Sequence, residues 1–169
     1  DAFFLALFPN SPFTKFLIEN SDYYDKNLEC SLTLRDLGVT NERIIAENLP
    51  VKVLGWQSNI EKVLSAADIV VLTSDNEGIP LTLIQAAQAA LPIIAPKVGS
   101  ISDIVENDVT GFLTSPAPGA MASALSALAT DEKLRIQLGG AGEKRASELF
   151  SLERMLRDHT EIYHLAHNK

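Results

Sequence analysis

The chain has 169 residues, a formal net charge of −8 and an apolar fraction of 46%. That length carries one ordinary domain with a real core, and the composition is globular rather than disordered. The acidic balance argues against nucleic acid or an anionic membrane as main partner, since both need clustered Lys and Arg, but it leaves room for a small anion held by a few N–H groups.

The opening Asp1-Ala2-Phe3-Phe4-Leu5-Ala6-Leu7-Phe8 contains no basic segment and is too short to span a bilayer, so it does not read as a secretory signal. It reads as the end of a helix that began upstream. Lys15-Phe16-Leu17-Ile18, after Asn10-Ser11-Pro12, reads as a strand. Residues 25–37 read as a helix, with Leu28, Leu32 and Leu34 on one side and Gly38 as the stop. Cys30 stands alone, so no internal disulfide forms, which fits a reducing cytoplasm; the residue reads as a small buried hydrophobe.

Val51-Lys52-Val53-Leu54-Gly55 is a second strand. Ser58 caps a helix through Ala66, with Glu61 at the capping-box spacing. Asp68 to Leu72 is a third strand, apolar enough to be central in a parallel sheet covered on both faces. A helix over 80–90 closes before Pro92, and Ile93 to Ala95 return as a strand. Gly99-Ser100 make a turn into a short helix containing Asp103, and Gly111 to Thr114 form a last strand. The tail, 117–166, is helical with breaks near Thr130-Asp131 and Phe150-Ser151. The fold class is therefore α/β: a single Rossmann-like domain over 1–169, a parallel sheet of about five strands flanked by helices, and a helical C-terminal tail.

The segment from Ser74 to Ala87 carries the chemistry. It joins a strand end to a helix start, where open parallel sheets bind ligands. The N–H groups of Leu81 and Thr82 begin the helix and face an anion with its positive end. Pro80 suits the first helical position, and Gly78 lets the backbone approach a ligand. Glu77 and Gln85 supply hydrogen-bonding groups for a diol on either side of the helix start. Asp75 and Asn76 shape the turn. The bland alternative is an ordinary strand–turn–helix with Glu77 favouring the helix start and Gln85 solvated.

Six elements together carry a resemblance: Val53-Leu54-Gly55-Trp56; Val63 to Ser74; Glu77-Gly78-Ile79-Pro80; Leu91 to Ala95; Gly99-Ser100 to Val105; and Thr110-Gly111-Phe112-Leu113. In this order they resemble the carboxyl-terminal, donor-binding domain of group 1 (family 4) retaining glycosyltransferases of the GT-B type. The resemblance implies a hexosyltransferase of polysaccharide biosynthesis that moves a sugar from a nucleotide diphosphate sugar to an acceptor hydroxyl. It implies that Glu77 contacts the transferred sugar and that Leu81 and Thr82 face the diphosphate. The family's second glutamate, at position 85, contacts ribose, and the loop of Trp56, Ser58 and Asn59 flanks the base. It implies no metal and no cofactor. The parent would be cytoplasmic, at most at the inner face of the membrane.

This sequence departs from the family pattern in three ways. Gln85 replaces the second glutamate, and Ala90 stands where glycine is usual, which reads as a minor packing change. The family's first strand, its glycine turn and the following Arg and Lys have no counterpart, since Lys15 is the only basic residue before Lys26. The expectation is a chain without that first strand or the amino-terminal acceptor domain, inactive alone.

Trp56 reads equally as a core plug or a wall for the base. Asp103 reads equally as a cap or a donor-side group, and Lys97 as solvated. His159, His164 and His167 read as surface histidines. The last helix has an apolar stripe of Met155, Leu156, Ile162, Tyr163 and Leu165, open to a partner or to a second copy of the chain. A rival reading is a non-catalytic nucleotide- or protein-binding module of the same fold. A flavodoxin-like or response-regulator-like domain would require an acidic cluster at the first strand end, which the sequence lacks.

Overall fold

The computed structural model describes residues 3–6, 57–74, 76–115 and 117–167. The strands expected at 15–18 and 51–55, the helix expected over 25–37, and Cys30, Trp56 and Asp75 lie outside them. Within them the order is β1 (Phe3–Ala6), α1 (Ile60–Leu64), β2 (Ile69–Leu72), α2 (Leu81–Gln88), β3 (Ile93–Pro96), α3 (Ile101–Ile104), β4 (Gly111–Thr114), α4 (Pro118–Thr130), α5 (Glu132–Leu149) and α6 (Leu152–His167).

The described sheet has the order β1-β2-β3-β4. β2, β3 and β4 are parallel, with Val71 opposite Ile94 and Ile94 opposite Phe112. β1 corrects an expectation: Phe3–Ala6 is a strand, antiparallel to β2 from Phe3 opposite Leu72 to Ala6 opposite Ile69. A short apolar run has no periodicity that separates helix from strand, and here pairing with β2 decides it.

Side chains alternate across the sheet and build two cores. Val70, Leu72, Ile93 and Ala95 face Leu83, Ala86 and Ala87 of α2, with Ile101 and Ile104 of α3. Ile69, Val71 and Ile94 face Leu128 of α4 and Leu138 of α5. Every residue of β2 and β3 is buried, as a central strand covered on both faces requires.

The tail breaks where expected, because polar groups there satisfy helix ends. Asp131 caps α5 by accepting from the Leu134 N–H at 2.9 Å, and Arg135 donates back to the Leu128 carbonyl of α4 at 2.7 Å. Ser151 Oγ accepts from the Arg154 N–H at 3.3 Å at the start of α6.

Two expected helix starts move by one residue. Asn59, not Ser58, caps α1, its Oδ1 accepting from the Lys62 N–H at 3.1 Å; the asparagine reaches the first-turn donor from one residue closer. Pro80 is the N-cap of α2 rather than its first helical residue, because its ψ of 108° is still extended. Ala90 is a conformational departure rather than a packing one. It closes α2 with φ 55°, and the Leu91 N–H reaches the Ala86 carbonyl at 3.1 Å. That is a Schellman ending, whose left-handed residue is usually glycine.

Candidate functional site

Parallel pairing puts the carboxyl ends of β2, β3 and β4 at one edge of the sheet. The Thr73–Pro80 connection leaves that edge after β2, and the 97–100 turn leaves it after β3. Ligands of open α/β sheets bind at this edge.

α2 starts there uncapped, since Pro80 offers no side-chain hydrogen bond. The Pro80 carbonyl takes the Leu83 N–H at 3.0 Å. The N–H groups of Leu81 and Thr82 come before any intrahelical acceptor, so two donors and the positive helix end remain for an anion. Leu83, Ala86 and Ala87 bury the inner face of α2, while Leu81, Gln85 and Gln88 are exposed. Gln85 therefore stands one turn above Leu81 on the open face of the helix.

Gly78 is exposed, and a Cβ built on it would meet no described residue within 4 Å. Among the described residues only Gly99 is a glycine with positive φ. Among the described residues, neither conformation nor packing demands a glycine at 78, and none fills the space above it. Glu77 beside it is half-buried, and Asn76 and Ile79 are exposed. Neither Glu77 nor Gln85 hydrogen-bonds through its side chain to another described residue.

Among the described residues, three hydroxyls are buried without a partner: Thr73 beyond β2, Thr82 in the first turn of α2, and Thr114 at the end of β4. All three belong to the carboxyl edge. Buried Thr110, by contrast, is satisfied: its Oγ1 accepts from the Glu106 N–H at 2.9 Å.

The structure thus brings Glu77, Gly78, Ile79, Pro80, Leu81, Thr82 and Gln85 onto one turn and its helix. Ser58 and Asn59 sit exposed at the start of α1, with no hydrogen bond to that turn among the described residues. Lys97 is exposed on the 97–100 turn. Asp103 is inside α3 rather than at its cap, which is Ser100. His159, His164 and His167 are exposed on α6. Among the described residues no three His, Cys, Asp or Glu side chains gather as metal ligands, and no helix is long and apolar enough to cross a membrane.

One residue behind the site gave no sequence signal. Arg145 of α5 donates to the carbonyls of Ile104 (Nε, 3.1 Å) and Asp103 (Nη2, 3.1 Å), and its Nη1 pairs with Glu106 at 3.3 Å. It ties α3 to the helical tail across some 40 residues of sequence. Spacing along the chain cannot reveal such a contact.

Parallel β–α–β winding of β2, β3 and β4, with helices on both faces, is that of a Rossmann-like domain. Residues 41–145 match the family model of the group 1 glycosyl transferases, and the chain belongs to that family. It is 28% identical over 113 residues to the N-acetyl-alpha-D-glucosaminyl L-malate synthase of Bacillus anthracis, a match covering 66% of this chain and 29% of that protein. Sucrose-phosphate synthase from Thermosynechococcus elongatus superposes with a TM-score of 0.72 at 25% identity, over 85% of this chain and 37% of that one. HepE of Anabaena, solved in complex with UDP-glucose, gives a TM-score of 0.67 at 25% identity, over 77% of this chain and 36% of its own. The chain spans well under half the length of each of these relatives.

Proposed function

We propose that this chain is the donor-binding domain of a retaining glycosyltransferase, which transfers a sugar from a nucleotide diphosphate sugar to an acceptor hydroxyl. The observation that carries the reading is the uncapped start of α2 under the open space at Gly78, with Glu77 alongside. In this reading the Leu81 and Thr82 N–H groups hold the diphosphate, and the Glu77 carboxylate accepts from hydroxyls of the transferred sugar. Gln85, on the open face of α2, donates to and accepts from ribose, with weaker bonds than a carboxylate would make. Ser58, Asn59 and Trp56 flank the base. The likeness to HepE, which was solved with UDP-glucose, supports a uridine nucleotide sugar as the first donor to try.

Chemistry at this edge rests on positioning the donor and on stabilising the leaving diphosphate with fixed backbone donors and the helix end. No metal enters the proposal. The acceptor site belongs to a second domain, and the chain alone binds donor without transfer. The parent works in the cytoplasm or at the inner face of the membrane, in keeping with the single Cys30.

The second reading, a binding module without turnover, is favoured by one observation, the neutral Gln85 at the ribose position. Calorimetry with UDP, GDP, ADP and their sugars tests the nucleotide reading; failure of all of them to bind would refute it. Transfer from a labelled donor by the full-length protein separates the two readings. Label reaching an acceptor establishes the enzyme, and tight donor binding without transfer establishes the module.

A further inference from the structure

Glu77 is held from behind. Gly99, in the turn after β3, has φ 52°, and a Cβ built on it would lie 1.7 Å from the Glu77 carbonyl oxygen and 2.8 Å from its carbonyl carbon. The bare backbone of Gly99 is thus pressed against the peptide that carries the candidate sugar-binding carboxylate.

The turn cannot back away, because it is tied down on both sides. The Lys97 N–H donates to the Thr114 carbonyl of β4 at 3.0 Å, and the Val98 N–H donates to the Pro96 carbonyl at 2.9 Å. Beyond it, Ile101 and Ile104 are buried in the core, and Arg145 grips the carbonyls of Asp103 and Ile104. The 97–100 turn is a fixed wall, and the Glu77 peptide rests on it.

We propose that Gly99 is a positioning residue for Glu77: its missing side chain sets how far the Glu77 peptide stands from the sheet edge, and so where the carboxylate meets the transferred sugar. The proposal rests on the donor-binding reading given above. An ordinary contact with a Cβ begins at 3.4 Å. A methyl group at position 99 therefore drives the two peptides apart by about 1.7 Å, on a scale where a shift of roughly 1 Å already spoils a binding geometry. The diphosphate is held by α2 and is spared.

The test is calorimetry on the full chain with UDP-glucose, UDP-N-acetylglucosamine and GDP-mannose, each against its parent diphosphate. The ratio of the two affinities isolates the sugar contacts. If the wild-type chain binds none of these nucleotide sugars, the donor-binding reading fails, and the role of Gly99 fails with it. If it binds one, Gly99→Ala lowers that ratio about tenfold, the scale of a lost hydrogen bond to a charged group, while diphosphate affinity stays within about twofold. Glu77→Ala lowers the ratio similarly, and the double variant lowers it no further, because both act through one carboxylate.

Gly139→Ala is the matched control. Its Cβ would lie 2.0 Å from the Ala90 carbonyl oxygen, at the far end of α2. It lowers the melting temperature and leaves the ratio intact. Should Gly99→Ala not fold, Arg145→Met frees the wall without adding bulk and lowers the ratio in its place. A preserved ratio in Gly99→Ala, or in Arg145→Met where that stands in, would overturn the proposal. So would losses that add in the double variant, or an equal loss in Gly139→Ala.

Discussion

A methyl group at position 78 would meet no described residue within 4 Å, whereas one at position 99 would overlap the Glu77 carbonyl. Gly78→Ala therefore keeps the melting temperature of the chain or raises it slightly, since alanine restricts the unfolded chain more than glycine does. The same change weakens donor binding in calorimetry by filling the space the ligand needs; unchanged donor affinity would show that the space above Gly78 is idle. Ala90 is the opposite case. It holds φ 55°, a left-handed conformation that costs an L-residue roughly 1–2 kcal/mol and glycine almost nothing. Ala90→Gly is expected to stabilise the chain by about 1 kcal/mol in urea unfolding, once the extra chain entropy of glycine is deducted. The segment from Glu77 to Gln85 was legible in the sequence because a strand end, a turn and a helix start are local patterns. The left-handed Ala90 was not, because an alanine carries no mark of the backbone angle its neighbours impose.

The elements β2, α2, β3, α3 and β4 were each legible within a residue or two, for they alternate apolar runs with turn residues. The tail breaks were legible because Asp131 and Ser151 are cap residues followed by helix formers. β1 was misread, since Phe3 to Ala6 has no period to choose between helix and strand and only pairing with β2 settles it. The Asn59 cap was missed by one residue, because Ser58 and Asn59 are both good caps and the sequence does not rank them. Arg145 was illegible, as its partners on α3 lie about 40 residues away and are backbone carbonyls. Those carbonyls close a helix of a single turn, so the guanidinium matters to α3 far more than its exposed pair with Glu106 does. Arg145→Met is expected to cost about 1–3 kcal/mol in urea unfolding, chiefly through the carbonyls left unpaired. Arg145→Lys recovers little, because an ammonium cannot reach both carbonyls in the fork geometry of a guanidinium. Full stability in the methionine variant would show that α3 holds its place without the arginine.

Two cores on opposite faces of the described sheet carry the molecule, and α6 has no buried residue in either. Its stripe of Met155, Leu156, Ile162, Tyr163 and Leu165 is exposed throughout. Stability should therefore be very uneven along the chain. Ile94→Ala, at a site that is 0% exposed between the two neighbouring strands, is expected to cost about 2–5 kcal/mol. Leu156→Lys and Ile162→Lys are each expected to stay within about 0.5 kcal/mol of the wild type by the same unfolding assay. A large loss from either lysine would mean that α6 is packed into the domain after all.

Donor binding at the carboxyl edge of β2 fixes where a nucleotide sugar must touch this chain, and a protein of 18.4 kDa allows that to be read amide by amide. The isotope-labelled chain is titrated with UDP-glucose and followed by backbone amide shifts in NMR. The largest shifts are predicted at Gly78, Leu81 and Thr82, with a smaller set at Gly99 and Ser100 that UDP alone does not produce. No shifts with UDP-glucose or with any other nucleotide sugar, or shifts centred away from the carboxyl edge of β2, would contradict it.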